Sequence, residues 1–166
     1  MRHHGLPTRL LDWSESVLVA AYFAVEQKPS GKEYPPILWA LSSIGLNQSQ
    51  GVGGWINMTD PHGRALIAPV FGEKPDAKLK GKVLAAYAPQ YRLRMMLQQS
   101  VFTIHGTGTP LEKLDGAEGF LRGYVIDPHA RDELLRELDL LGIRRSTLFP
   151  DLDNLAMDVE CMVGDY

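Results

Sequence analysis

The side chains best able to do chemistry crowd the start of the chain: Thr8, Arg9, Asp12, Trp13 and Ser14, preceded by Arg2, His3 and His4. The turn from Gly5 through Leu6, Pro7 and Thr8 to Arg9 can present backbone N–H groups and a guanidinium fork to a phosphate or a carboxylate. The same spacing suits an internal brace, with Arg9 paired to Asp12 and Trp13 in the core, and a braced arginine is a preorganised one. A second polar set, Arg94, Gln98 and Gln99, stands ahead of an apolar stretch. As a bare pattern it reads as the polar face of a short helix.

Other chemistries find less support. His3 and His4 are adjacent, so their side chains diverge, and His62, His105 and His129 show no ligand spacing. With no cysteine pairs beside them, no metal site is expected. There is no Gly-x-Ser-x-Gly elbow and no Walker-type phosphate loop. Cys161 reads as a small core residue of a terminal helix. The carboxylates Asp151 and Asp153 fit a helix N-terminus, and Asp158 with Glu160 fits a solvated face.

The elements that must position these groups follow from apolar pattern and punctuation. Asp12 or Ser14 is expected to cap a first helix, with Asp12 and Glu15 shaped like a capping box. Val17 to Ala24 is apolar nearly all round, which predicts a buried helix. Ile37 to Leu41 predicts a central strand, and Ser42 to Gly63, rich in glycine, predicts a long loop. A strand is expected at Ala65 to Phe71, then a charged turn at Lys74 to Lys82. A short helix over Arg92 to Gln98 leads into a strand at Val101 to His105, and Leu121 to Ile126 is a further strand. Asp127 caps an amphipathic helix with Pro128 at its first position and Leu134, Leu135, Leu138 and Leu141 as its buried stripe, and Gly142 ends it. Thr147 to Phe149 is expected to be extended. Asp151 then caps a last helix that turns Leu152, Leu155, Ala156 and Val159 inward. That order predicts an α+β fold, with short, mostly antiparallel strands and helices packed over them.

Bulk properties bound the function. A chain of 166 residues is read as one domain, able to bury roughly two-thirds of its unfolded surface. A net charge of −3 is the wrong sign for nucleic-acid binding by bulk electrostatics. One cysteine permits no internal disulfide, and no apolar run is long enough to span a membrane, so a cytoplasmic location is expected.

The run HHGLPTRLLDWS followed by VLVAAYFA resembles the signature of the FRG domain, a bacterial family named for an upstream Phe-Arg-Gly motif. The family's core reads roughly QHYGLPTRLLDWT before a Pro-Leu-Val-Ala-Leu-Tyr-Phe-Ala helix. Two later segments are similar as well: RMMLQQSVFTIHG to Arg-x-x-x-Gln-Gln-Gly-x-Phe-Thr, and LFPDLDNLA to a closing Leu-Phe-Pro-Asp-Leu-Asp motif. Arg2 stands where the family usually has Gln, His4 where Tyr is common, and Ser100 where it has Gly. The Phe-Arg-Gly motif is not in the sequence, so the chain is expected to be truncated relative to the family.

The family's motifs resemble, in order, those of ADP-ribosyltransferases, and this implies an ADP-ribosyltransferase-like domain of a bacterial phage-defence system or toxin system. NAD enters as the implied substrate; the residues themselves demand no cofactor. On that resemblance Asp12 and Ser14 would lie near the nicotinamide ribose. Gln98 would be the acceptor-side catalytic residue, with Asp12 as its companion. His3, Thr8, Arg9, Ser14 and Arg94 would bind the ligand, and Arg9 would meet its anion. The alternative is a module that binds a nucleotide or a protein partner without turnover, or an inactive remnant with an open sheet edge. A small-molecule nucleotide is the expected partner; no bulk nucleic acid and no membrane is expected, and no protein target is indicated.

Overall fold

The computed structural model of the protein describes residues 9–27, 34–59, 61–68, 76–87, 89, 92–151, 154, 156 and 159. The fold is α+β. Strand β1 (Leu10–Ser14) leads into helix α1 (Val17–Val25), then β2 (Ile37–Leu41), α2 (Ser43–Ser49), α3 (Pro61–Ile67) and β3 (Val83–Ala86). After these come α4 (Leu93–Leu97), β4 (Ser100–His105), β5 (Leu121–Val125), α5 (Arg131–Leu140) and α6 (Arg145–Leu148). The strands form a three-stranded sheet in the order β1-β4-β3 and a two-stranded sheet of β2 and β5. The chain divides into two compact units.

The first unit comprises Met1–Trp13, Trp39–Pro89 and Val101–Gly123. Its centre is the antiparallel pair β3–β4, registered Val83 to His105 and Ala86 to Phe102. Side chains alternate across a pleated sheet, so each strand feeds two faces. Val83 and Ala85, with Leu11 and Trp13 of β1, pack against Leu46, Leu111, Phe120 and Leu121. Leu84, Ala86 and Ile104, with Leu10, pack on the other face against Ile56, Val52, Met58 and Leu79. With both faces covered, β3 is buried along its whole length.

The outer edge of β3 is closed by a side chain. Asn47 of α2 is 1% exposed. Its Oδ1 accepts from the Ala85 N–H at 2.8 Å, and its Nδ2 donates to the Ala85 and Gly54 carbonyls, each at 3.0 Å. One amide thus does for the strand what a neighbouring strand would do.

The second unit comprises Ser14–Leu38, Gln90–Ser100 and Tyr124–Tyr166. Its core joins Val19 and Tyr22 of α1 to Leu138 of α5 and Leu148 of α6, with Leu134, Leu135, Ile143 and Phe149 packed against them. Burying each such leucine or valine is worth about 1.5–3 kcal/mol before conformational entropy is set against it.

Several expectations need correction. Asp12 and Ser14 lie in β1, and neither is the N-cap of α1; that residue is Ser16, its Oγ accepting from the Val19 N–H at 3.4 Å. Pairing in the sheet extends the backbone through Ser14 and displaces the helix start. Helix α1 is buried on one face only, through Val19, Tyr22 and Val25, while Val17 is 65% exposed. A uniformly apolar sequence carries no pattern that says which face turns inward. Strand β2 is not central, since it belongs to a two-stranded sheet.

The glycine-rich segment from Ser42 to Gly63 holds α2 and the start of α3. Ser42 caps α2, accepting from the Gly45 N–H at 3.2 Å. Gly63 lets α3 lie on the backbone of Asn57 and Met58, where a Cβ would stand 2.2 Å from the Asn57 carbonyl oxygen. Ala65 to Ile67 are helical, and residues 69–71 of the strand expected there lie outside the described residues. Strand β3 is an addition. Residues 147 and 148 belong to α6 rather than to an extended segment. Ala156 and Val159 are exposed, while Leu152 and Leu155 lie outside the described residues.

The other expected elements are present. Helix α4 is capped by Arg92 and Gln98, β4 and β5 fall where expected, and Gly142 ends α5 at φ +79°. Asp127 does its capping on a short 3-10 turn ahead of α5, accepting from the His129 N–H at 2.9 Å. Leu141 is exposed rather than part of the α5 stripe.

Candidate functional site

The sequence-predicted residues separate. His3 and Thr8 lie outside the described residues. Arg9 and Asp12 belong to the first unit, and both are exposed. The ion pairs among the described residues are Arg131–Asp132, Arg144–Asp139 and Arg145–Glu26, with none between Arg9 and Asp12. The expected brace is therefore absent there. Its three-residue spacing suits a helix surface, whereas along extended chain it puts the two side chains on opposite faces. Trp13 is held in the first unit by its indole, Nε1 donating to Thr103 Oγ1 at 3.1 Å, and Thr103 Oγ1 lies 3.0 Å from His105 Nε2.

Ser14, Arg94 and Gln98 are brought together in the second unit. The Ser14 hydroxyl donates to the Gln98 carbonyl at 2.8 Å and accepts from the Ser16 N–H at 3.1 Å. One residue on, the Glu15 N–H donates to the Gln99 carbonyl at 3.0 Å. Two consecutive carbonyls at the end of α4 are thus clamped by two consecutive residues. The Gln98 side chain points the other way: it is 8% exposed, and its Nε2 donates to the Leu148 carbonyl at 3.0 Å.

Leu148 opens the segment Leu148, Phe149, Pro150, Asp151, and two guanidinium groups converge there. Arg94 lies 4.3 Å and Arg145 5.2 Å from the centroid of the Phe149 ring. A cation over an aromatic face is attracted by the ring quadrupole. The Phe149 edge is fixed by Phe23, whose ring centroid is 5.9 Å away at an interplanar angle of 83°.

The two arginines differ in what balances them. Arg145 is ion-paired with Glu26 and hydrogen-bonded to Asn154 Oδ1. Arg94 is half-buried, its Nε is buried without a hydrogen-bond partner, and it forms no ion pair among the described residues. Asp151 is the nearby counter-charge. The Asn154 backbone N–H first, then the Asn154 amide and the charges of Arg145 and Arg94, hold its carboxyl below the ordinary carboxylate range against the opposing cost of desolvation.

A half-buried guanidinium oriented by an aromatic ring, with donors to spare, is suited to a planar or tetrahedral anion. Arg145 and Phe149 are the members that sequence reasoning did not single out for a site, whereas Gln99 was noted there only as part of the polar set with Arg94 and Gln98. Arg145 and Phe149 lie far along the chain from Arg94, and only folding brings them to it. No group of three or more His, Cys, Asp or Glu side chains among the described residues is placed to hold a metal ion. No helix among them is long and apolar enough to cross a membrane.

The family model of the FRG domain matches residues 1–33. No curated protein and no solved structure matches the chain.

Proposed function

We propose, from the FRG-domain match over residues 1–33, that the second unit of the chain binds a phosphate-bearing nucleotide, with NAD as the first candidate, and does not turn it over. Arg94 is the anion anchor of this reading, held by Phe149 and by the clamped end of α4. The observation that carries the reading is the state of Gln98. A transferase of the implied kind needs a side chain at the acceptor side that meets the reacting sugar. Gln98 is buried, and its amide is committed to the Leu148 carbonyl. It holds α4 to the Leu148–Asp151 segment, which favours binding over catalysis.

The test is to incubate the protein with NAD and follow both bound nucleotide and released nicotinamide. The expected result is saturable binding with no nicotinamide release, and a Gln98→Leu variant that melts earlier but binds with unchanged affinity once folded. Nicotinamide release that vanishes in Gln98→Leu would restore the transferase reading.

A further inference from the structure

We infer that the amide reading the ligand is Gln99, not Gln98. The inference rests on the nucleotide-binding reading above and specifies what makes the polar contact. Among the described residues, Gln99 is the non-glycine residue at positive φ, at +47°. The left-handed region brings Cβ against the following carbonyl in any L-residue, and glycine avoids that cost. The position is the first beyond the C-cap of α4, where glycine is the common solution. Its backbone work is complete without a side chain: the N–H donates to the Met96 carbonyl at 3.1 Å, and the carbonyl accepts from Glu15. A glycine would do all of this with less strain. What the glutamine adds is an exposed amide on a turn fixed at each side, by Ser14 and Glu15 on one and by the Gln98–Leu148 bond on the other.

Strain retained where the fold does not need it points to function. The exposed amide both donates and accepts, and it begins five residues after Arg94, at the other end of the same short helix. Arg94 takes the anion. Gln99 suits a neutral partner carrying both a donor and an acceptor, such as a sugar hydroxyl or a carboxamide, as in a nucleotide bearing a ribose or a nicotinamide.

The test compares wild type, Gln99→Gly and Gln99→Asn by calorimetric titration of NAD, with a melting curve for each. Gln99→Gly is expected to melt higher, because the left-handed strain is relieved, and to bind about tenfold more weakly. Gln99→Asn tolerates the same backbone but carries a shorter amide, and it should fall between the two. If all three bind alike, the role of Gln99 is overturned while the nucleotide reading stands. If none binds NAD, both fall together. A Gln99→Gly that melts lower than wild type would show that the side chain supports the fold, and would overturn the inference as well.

Discussion

The two units differ in how fully their buried donors are satisfied. In the first, each described polar side chain in the interior ends on a partner: Asn47 on Ala85 and Gly54, Trp13 on Thr103. In the second, three arginine Nε atoms, on Arg94, Arg131 and Arg144, are buried without a hydrogen-bond partner. Arg131 and Arg144 still have ion pairs, with Asp132 and Asp139, whereas among the described residues Arg94 has the Phe149 ring and the more distant field of Asp151. A buried donor left open costs free energy, and cores are normally built to avoid it. The first unit behaves as a finished core. The second keeps the Arg94 cation half-buried and without an ion pair among the described residues, and there the binding site is proposed.

The comparison can be broken first at Asn47. Asn47→Leu keeps the volume but strands the Ala85 N–H and carbonyl and the Gly54 carbonyl, and the loss should reach about 3 kcal/mol or more, read from urea unfolding. A loss under about 1 kcal/mol would mean that water replaces the amide and that the first unit is not the closed core described. Gln98→Leu should cost about 1–3 kcal/mol by the same measurement, since it leaves the Leu148 carbonyl unpaired.

The smallest effect concerns Asp151. Its carboxyl is held low in the folded state, so its contribution to stability is present above the unfolded carboxylate range and fades as pH falls through the lower folded value. Melting temperature should therefore decline on acidification below the ordinary carboxylate range, and Asp151→Asn should flatten that decline. An unchanged slope in the variant would remove Asp151 from the network around Arg94.

Local signals in the sequence carried the second half of the chain further than the first. Asp127, Pro128 and Gly142 mark their helix by capping chemistry, which acts over a few residues and is legible wherever it occurs. Strand β4 was legible from Val101 to His105 because β-branched and aromatic residues run together there. The early part misleads because tertiary contacts override local ones. Gly63 looks like a loop residue, yet it is the condition for α3 to lie against Asn57 and Met58. Asp12 and Ser14 look like caps, yet sheet pairing claims them. The site was half legible. The Ser14 hydroxyl does meet the end of the helix that carries Arg94 and Gln98, and only the family resemblance had grouped Ser14 with them, but which glutamine faces solvent depends on the φ of one residue and on a carbonyl fifty positions away.

The central claim is that Arg94 is an open anion anchor rather than a piece of the fold, and one calorimetric experiment tests it most directly. NAD is titrated into wild type and into Arg94→Met, which keeps the apolar stem against Phe149 and removes the charge. The account predicts a saturable heat for wild type and an affinity at least about tenfold lower for Arg94→Met, with a melting temperature close to wild type because an unpaired buried donor has gone. Equal affinities in the two proteins, or no heat from wild type, would contradict it.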